Sequence, residues 1–268
     1  MISKPNCRSL TAAWVVMGLA FSPAFGQWTN VRSSSIPRTP DGKPNLSAPL
    51  PRAADGKPDL SGVWIVSQNF VDDVPKYFRN LAADLNLEEA PKMQPWAEAL
   101  VKQRLADFGK DIPTSRCLPP GVPLMQAVPA PFKIVQTPGL VVILYEGWTI
   151  YRQIFTDGRE LPRDPNPSWL GYSVGSWNGD TLVVETAGLN DKSWLDLTGH
   201  PHSEALHVFE RFHRSDLGRM EIQITIDDPG AYRKPWTVTE DTHLLPDTEL
   251  LEFICNENEK DGSHLVGR

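Results

Sequence analysis

Positive charge, cysteine and long apolar runs are all scarce in this 268-residue chain. The 26 Lys and Arg are outnumbered by 33 Asp and Glu, and the formal net charge of −7 disfavours nucleic acid or an anionic membrane surface as a partner. The apolar run at residues 10–21 is shorter than the roughly 20 residues that a membrane-spanning helix needs. Cysteine occurs three times and never as Cys-x-x-Cys, so a structural zinc site or a dithiol redox motif has no support.

The overall composition is that of a folded protein rich in β-structure. Hydrophobic residues make up 40% of the chain and charged residues 22%, which excludes a disordered chain and a polytopic membrane protein. The 25 prolines and 9 tryptophans suit strands joined by long ordered loops better than a helical bundle. A mass of 29.9 kDa allows one large or two small domains.

The N-terminal segment has the layout of a secretory signal peptide. Lys4 and Arg8 precede the apolar run, and the small residues Ala24 and Gly26 fit a cleavage site that makes residues 1–26 the signal. We therefore predict a periplasmic or secreted protein with no membrane span after cleavage. An N-terminal membrane anchor is the alternative, and the shortness of the run disfavours it.

Export changes the interpretation of the cysteines. Cys7 lies in the signal, which leaves Cys117 and Cys255, separated by 138 residues. In an oxidising compartment the two can pair, and closing so long a loop would stabilise the fold by roughly 4–5 kcal/mol. We expect a disulfide, with two separate buried thiols as the alternative.

The region before the strands divides into an arm, a helical insert and a proline-rich loop. Residues 27–60 contain a repeat, since the sequence at 37–47 is echoed at 51–61, and its turn-forming dipeptides predict an extended arm lying on a surface. A helical insert is predicted at 75–108, because its last part has apolar residues at helical spacing, namely Trp96, Leu100, Val101, Leu105 and Phe108. Gly109 follows at a C-cap position. The many prolines of residues 111–131 predict a loop without helix.

From Phe132 onward the apolar period changes to two, which predicts strands joined by tight turns. With a first strand at 62–66, the predicted strands are 132–137, 140–146, 149–155, 171–177, 180–186, 206–214, 220–227, 236–243 and 249–255. We predict a mainly β fold over residues 61–260, an antiparallel meander closed or nearly closed into a lipocalin-like barrel, followed by a tail at 261–268. An open curved sheet or a sandwich is the alternative.

Two resemblances accompany this pattern. The Gly62-Val63-Trp64 tripeptide is similar to the Gly-x-Trp of lipocalin-type (calycin) barrels. The segments at 144–159, 171–186, 194–212 and 225–236 resemble a large group of exported bacterial proteins of uncharacterised function. The resemblance implies a secreted β-protein and transfers no activity to any residue.

The segment at 194–207 is the densest concentration of chemically active side chains. Extended backbone would place His200, His202 and Glu204 on one side, where they would bind a divalent metal or transfer protons. For catalysis the first choice is His202, with Asp196, Glu204 and His207 as further candidates. A hydrated polar loop is the alternative, and no organic cofactor is indicated.

A second set of candidates lies in the strands. Four charged residues occur in otherwise apolar strands, namely Glu146, Arg152, Glu210 and Arg211. We expect them to form structural ion pairs, and an anchor for an anion or a carbonyl group is the alternative. As a ligand cradle we consider Glu146, Trp148, Tyr151, Arg152, Trp194 and Arg211. The Gly-x-Ser-x-Gly match around Ser173 lacks the strand–turn–helix context of a hydrolase, so we reject a serine hydrolase.

Two functional hypotheses follow from the sequence. In the first, this is an exported β-barrel enzyme that uses His and carboxylate acid–base chemistry on a small, largely apolar organic molecule, as a lyase, hydrolase or isomerase. In the second, it is a non-catalytic periplasmic small-molecule-binding protein, or a protein that binds metal through His200 and His202.

Overall fold

A computed structural model describes residues 31–67 and 91–257. It contains nine strands, β1 (Gly62–Val66), β2 (Phe132–Thr137), β3 (Leu140–Tyr145), β4 (Ile150–Phe155), β5 (Tyr172–Asn178), β6 (Thr181–Ala187), β7 (His207–Arg214), β8 (Arg219–Asp227) and β9 (Trp236–Leu244). The α-helices are α1 (Pro95–Ala106) and α2 (Leu124–Ala127), and 3₁₀ turns occur at Pro113–Arg116 and Gly147–Thr149. The predicted signal at 1–26, the insert before residue 91 and the tail at 261–268 lie outside the described residues.

The nine strands form a closed barrel in sequence order, which confirms the predicted fold class. Each strand pairs with the next in antiparallel fashion except β4 and β5, which are parallel with Ile154 opposite Ser173. The exception arises because residues 156–171 carry the chain back along the barrel before β5 begins. Pairing of β9 with β1, with Trp64 opposite Leu244, closes the barrel and removes both edges.

Period-two alternation sends one face of each strand into the barrel. On β8 the inward residues Met220, Ile222, Ile224 and Ile226 are 0–2% exposed, as the sequence pattern predicts. Large side chains fill the space between the strands, among them Trp64, Phe132, Phe212 and Ile154, all 0–1% exposed. Within the described residues, packed side chains therefore fill the interior of the barrel.

The two ends of the barrel carry different segments. At one end, the arm end, both copies of the repeat form the same short turn, closed by bridges between Arg38 and Pro44 and between Arg52 and Pro58. Arg38 donates to Asp247, and Arg52 donates two hydrogen bonds of 2.9 and 2.7 Å to Asp180 in the β5–β6 turn. The opposite end, the loop end, carries residues 188–206 and 228–235 together with α1.

Helix α1 differs from its predicted packing. It buries Ala97 and Val101, whereas Trp96, Leu105 and Phe108 are 45%, 56% and 85% exposed. The small Ala97 face lets the helix approach the β8–β9 loop, and the Trp96 indole N–H donates to the carbonyl of Gly230 at 2.9 Å. The chain does turn after the helix, where Gly109 has a φ of 66° and donates to the Arg104 carbonyl.

Two further predictions were wrong. Residues 111–131 contain the first 3₁₀ turn and α2 despite their prolines, because Pro113 occupies the first turn of its 3₁₀ segment, where a missing N–H is tolerated. The segment at 249–255 is not a strand. Since β9 already pairs with β1, no free edge remains for it, and the Leu251 N–H donates instead to Glu146 Oε2 at 2.7 Å.

The expected disulfide is present. Cys117 and Cys255 are bonded, with their Cα atoms 5.6 Å apart. The bond attaches the C-terminal segment to the proline-rich loop. Within the described residues, no helix combines the length and the apolarity needed to cross a membrane.

Candidate functional site

The β6–β7 loop at the loop end contains the predicted His-rich segment. Its position is fixed from the β8–β9 loop, where Asp228 accepts hydrogen bonds from the Ser203 backbone N–H at 2.6 Å and the Ser203 hydroxyl at 2.7 Å. The Tyr232 hydroxyl donates to the Pro201 carbonyl at 2.8 Å. These contacts hold the loop in an ordered conformation against the β8–β9 loop, unlike the hydrated polar loop considered as the alternative.

Within this loop, Asp196 and His200 form a carboxylate–imidazole pair. Asp196 Oδ2 accepts a hydrogen bond from His200 Nδ1 at 2.6 Å. Asp196 Oδ1 accepts from the Thr198 and His200 backbone N–H groups at 3.0 and 3.2 Å and from the Thr198 hydroxyl at 2.8 Å. Burial favours the protonated acid, but the hydrogen bonds from His200 and Thr198 outweigh it and hold the pKa of Asp196 below its usual value.

This pairing fixes the chemistry of the His200 ring. Because Nδ1 carries the proton that Asp196 accepts, the neutral ring has its lone pair on Nε2. In the described part of the chain no group hydrogen-bonds to Nε2, and the His200 side chain is 9% exposed. The ring lies beside Trp236, with their centroids 6.3 Å apart. An imidazole held in this way can accept a proton at Nε2, which is the chemistry required of a general base.

His202 occupies a different environment. Its Nδ1–H donates to the Ser203 carbonyl at 3.0 Å, and its Nε2 accepts from the Ser193 hydroxyl at 2.8 Å. His202 and Ser193 are 2% and 1% exposed, and burial lowers the pKa of the His202 imidazole. Gly121 packs so closely on Ser193 that a Cβ on Gly121 would come within 2.5 Å of the hydroxyl oxygen. His202 is thus a neutral ring that ties the loop together.

The predicted alternation of this segment does not hold. His200 and His202 are buried, whereas Glu204 is exposed on a turn. His207 begins β7, where its Nδ1 lies 3.1 Å from Glu185 Oε1 on the neighbouring strand. Among residues 31–67 and 91–257, no three His, Cys, Asp or Glu side chains are grouped to hold a metal, so His200, His202 and Glu204 do not converge.

Arg104 of α1 joins the site from a distant part of the sequence. Its Nη1 donates to the Gly199 carbonyl at 2.9 Å, and its guanidinium lies 4.3 Å from the centroid of the Trp194 ring. Tyr232 and Trp236 pack edge-to-face, with their ring centroids 5.6 Å apart. Sequence reasoning missed Arg104 and Tyr232, and no local pattern distinguishes this arginine from the other charges of the helix.

The second predicted group separates into two parts. Arg152 and Glu210 form a bidentate ion pair inside the barrel, and Arg152 also donates to Ser173 at 3.0 Å and to Thr186 at 2.7 Å. The expected pairing of charges is thus present, and Glu210 holds the pKa of Arg152 above its usual value against the effect of burial. Ser173 lies in a strand rather than at an elbow. Arg211 faces outward and is exposed.

The remaining ligand-cradle candidates do not form one surface. Glu146 is engaged by the Leu251 backbone, Trp148 packs against Phe253 at 6.2 Å, and Tyr151 is 61% exposed on the outside of the barrel. Trp194 is 2% exposed beneath Arg104.

A cavity of about 480 Å³ lies at the arm end, lined in part by Ser33, Asp59, Gly62, Lys133 and Asp247. None of the predicted site residues lines this cavity.

Comparison of the chain with protein-family models, with curated proteins and with solved structures finds no match. The functional argument therefore depends on the geometry of the loop end alone.

Proposed function

We propose that this is an exported β-barrel enzyme that performs acid–base catalysis on a small organic molecule, with His200 as the proton-transferring group and Asp196 as its orienting partner. The observation that carries the proposal is the 2.6 Å contact between Asp196 Oδ2 and His200 Nδ1, which leaves Nε2 without a partner in the described chain. The reaction class is that of a lyase, a hydrolase or an isomerase.

The pair supplies the two properties that a general base needs. The carboxylate holds the ring in one tautomer and one orientation, and it stabilises the imidazolium that forms when Nε2 takes a proton. Returning that proton to another substrate atom completes an elimination, a hydrolysis or an isomerisation without a cofactor. Proton transfer by such a positioned group contributes about 10²–10⁴-fold to a rate.

His200 replaces His202, the first choice from sequence, in this role. Both ring nitrogens of His202 are engaged, and its Nε2 accepts from Ser193 in a region closed over by Gly121. A substrate would have to displace both contacts to reach that ring. The His200 side chain is 9% exposed and its Nε2, which has no partner in the described chain, is not fully buried, so no such rearrangement is needed to reach it.

Two further features support the proposal. Trp236 beside His200 gives the site an aromatic wall suited to a largely apolar substrate. The Cys117–Cys255 disulfide, together with the signal-like N-terminal sequence, supports an exported protein. A lipocalin-type carrier would hold its ligand inside the barrel, where the inward side chains of this protein are packed against one another.

Accessibility of the base can be tested without knowing the substrate. Diethyl pyrocarbonate carbethoxylates neutral, accessible imidazoles, and peptide mass mapping assigns the modified residue. We expect His200 to react and the buried His202 to be protected in the folded protein. An unreactive His200 would contradict the proposal, because a base that the reagent cannot reach cannot serve a substrate.

Activity is tested by incubating the protein in D₂O with a panel of small carbonyl compounds and esters, followed by proton NMR. We expect deuterium incorporation or turnover of a panel member that falls by about 10² or more in H200Q. The matched control is H207Q, which removes a half-exposed imidazole paired with Glu185 at the β7 edge. An H200Q protein as active as the wild type would overturn the assignment.

A further inference from the structure

Among the described residues, Arg104 is a half-buried arginine with neither a carboxylate partner nor a full set of hydrogen bonds. The buried Arg214 also lacks a carboxylate, but its Nε and both of its Nη groups donate to backbone carbonyls. Arg38, Arg52, Arg152 and Arg159 each form an ion pair with Asp or Glu. Within the described residues Arg104 forms none, although it is half-buried. Its Nε is fully buried without a hydrogen-bond partner, and Nη1 donates only to the Gly199 carbonyl.

An unpaired cation in such a place is energetically unfavourable unless something compensates it. Burial lowers the pKa of the Arg104 guanidinium, and the negative charges of Asp111 and Asp196 offset this only in part. Packing on Trp194 at 4.3 Å supplies a cation–π contact but no counter-charge. The Nη2 group, which is not fully buried and has no hydrogen bond within the described chain, remains available to a ligand.

Arg104 is held beside the proposed base by a glycine. Gly199 precedes His200 and has a φ of 93°, a left-handed conformation that glycine adopts without strain. A Cβ at this position would come within 3.0 Å of Arg104 Cβ and Cδ, so only glycine admits the arginine stem so close to the loop. The charge of Arg104 acts on both Asp196 and His202, which lie on either side of Gly199 in the same loop.

We propose that Arg104 binds a carboxylate group of the substrate, so that the proposed enzyme acts on a small organic acid. The inference rests on the proposed function for its catalytic meaning, and the binding step stands without it. The planar guanidinium offers N–H donors in the geometry that a carboxylate accepts. A carboxylate fits better than a phosphate, because one guanidinium supplies the single positive charge that a carboxylate requires.

Recognition at this position would also assist the chemistry. Arg104 contacts the carbonyl of Gly199, and His200 is the next residue in the chain. A carboxylate anchored on Arg104 would therefore present its adjoining carbon to His200. The same cation would stabilise negative charge that develops when His200 removes a proton from that carbon. The proton moves from the substrate carbon to His200 Nε2, and the electron pair stays on the substrate.

The test is a comparison of benzoate with its neutral isostere benzamide, and with inorganic phosphate, by NMR titration of the tryptophan indole signals. We expect wild-type protein to bind benzoate and to shift the Trp194 signal, with binding at least tenfold weaker in R104Q. The matched control is K102Q, which removes an exposed charge from the same helix. Thermal melting of each variant shows that the fold is retained.

Comparing the three ligands on the wild-type protein tests the proposal without relying on the folding of a variant. If benzamide binds as tightly as benzoate, or if R104Q binds benzoate as tightly as the wild type does, the proposal is wrong. If phosphate binds more tightly than benzoate, the ligand group is a phosphoryl group and not a carboxylate. H200Q separates this inference from the proposed function. If H200Q binds benzoate like the wild type and R104Q does not, the anion site is established even if no catalysis is found.

Discussion

Glu210 accepts a bidentate hydrogen bond from Arg152 inside the barrel, and the two side chains are 0% and 1% exposed. The pair connects β7 and β4, which are not neighbours in the sheet, so the ion pair crosses the interior of the barrel. Ser173 and Thr186 occupy further guanidinium N–H groups. An ion pair that is satisfied in this way is tolerated in a core, whereas either half alone is not.

Removing one member of this pair should therefore destabilise the protein strongly. We expect E210Q to lower the free energy of unfolding by about 3–5 kcal/mol, because it leaves the Arg152 charge buried and uncompensated. Urea denaturation measures the change. The E185Q control, which alters the half-exposed pair with His207, should change stability by less than about 1 kcal/mol.

The double variant R152M/E210L provides the complementary test. Replacing both charges with apolar groups of similar size should recover most of the loss seen in E210Q. A double variant as unstable as the single one would show that the pair acts through specific geometry, such as its bonds to Ser173 and Thr186, rather than through charge compensation.

The Asp196–His200 pair predicts a tautomer. In D196N the amide N–H₂ group can face the ring and donate to Nδ1, which shifts the ring proton to Nε2. We expect nitrogen-15 NMR to show the Nδ1–H tautomer in wild-type protein and the Nε2–H tautomer in D196N, with activity reduced by about 10²–10⁴-fold. D191N, an exposed aspartate in the same loop, is the control. An unchanged tautomer would show that Asp196 does not orient the ring.

The periodicity of the sequence is sufficient to predict the barrel but not the geometry of the candidate site. Alternation identified the inward residues of β8, since a strand has only two faces and one of them must be buried. The same rule failed in the loop, where the left-handed Gly199 and the Leu195 N–H bond to the His200 carbonyl form a turn. That turn brings His200, rather than His202, onto Asp196.

Arg104 shows a second limit of the sequence. It contacts Gly199 across 95 residues of chain, and only the packing of α1 on the β8–β9 loop brings the two together. By contrast, the buried-charge argument predicted that Arg152 would pair, and the strand registers then selected Glu210 rather than Glu146 as its partner. Local chemistry indicates which groups need partners, and tertiary topology decides which partners they find.

The disulfide should stabilise the folded protein by constraining the C-terminal segment. Replacing Cys117 and Cys255 with serine frees the C-terminal segment, which is not part of the sheet, and we expect a loss of about 2–5 kcal/mol in unfolding free energy. Calorimetry with and without reductant measures it. A variant as stable as the wild type would indicate that contacts such as Glu146 with the Leu251 backbone hold the segment without the bond.

His202 predicts the direction of the stability change in mild acid. Burial keeps its pKa in the folded protein below the ordinary value of 6.5, so the unfolded chain binds a proton more readily than the folded one. Stability should therefore fall as the pH drops below about 6.5, with a contribution of up to roughly 1.4 kcal/mol per pH unit from this ring. In H202N that contribution disappears, and the slope of unfolding free energy between pH 7 and 5 becomes shallower. Losing the Ser193 contact shifts the whole curve without changing its slope, so an H202N slope equal to that of the wild type would show that His202 is not the buried neutral group described here.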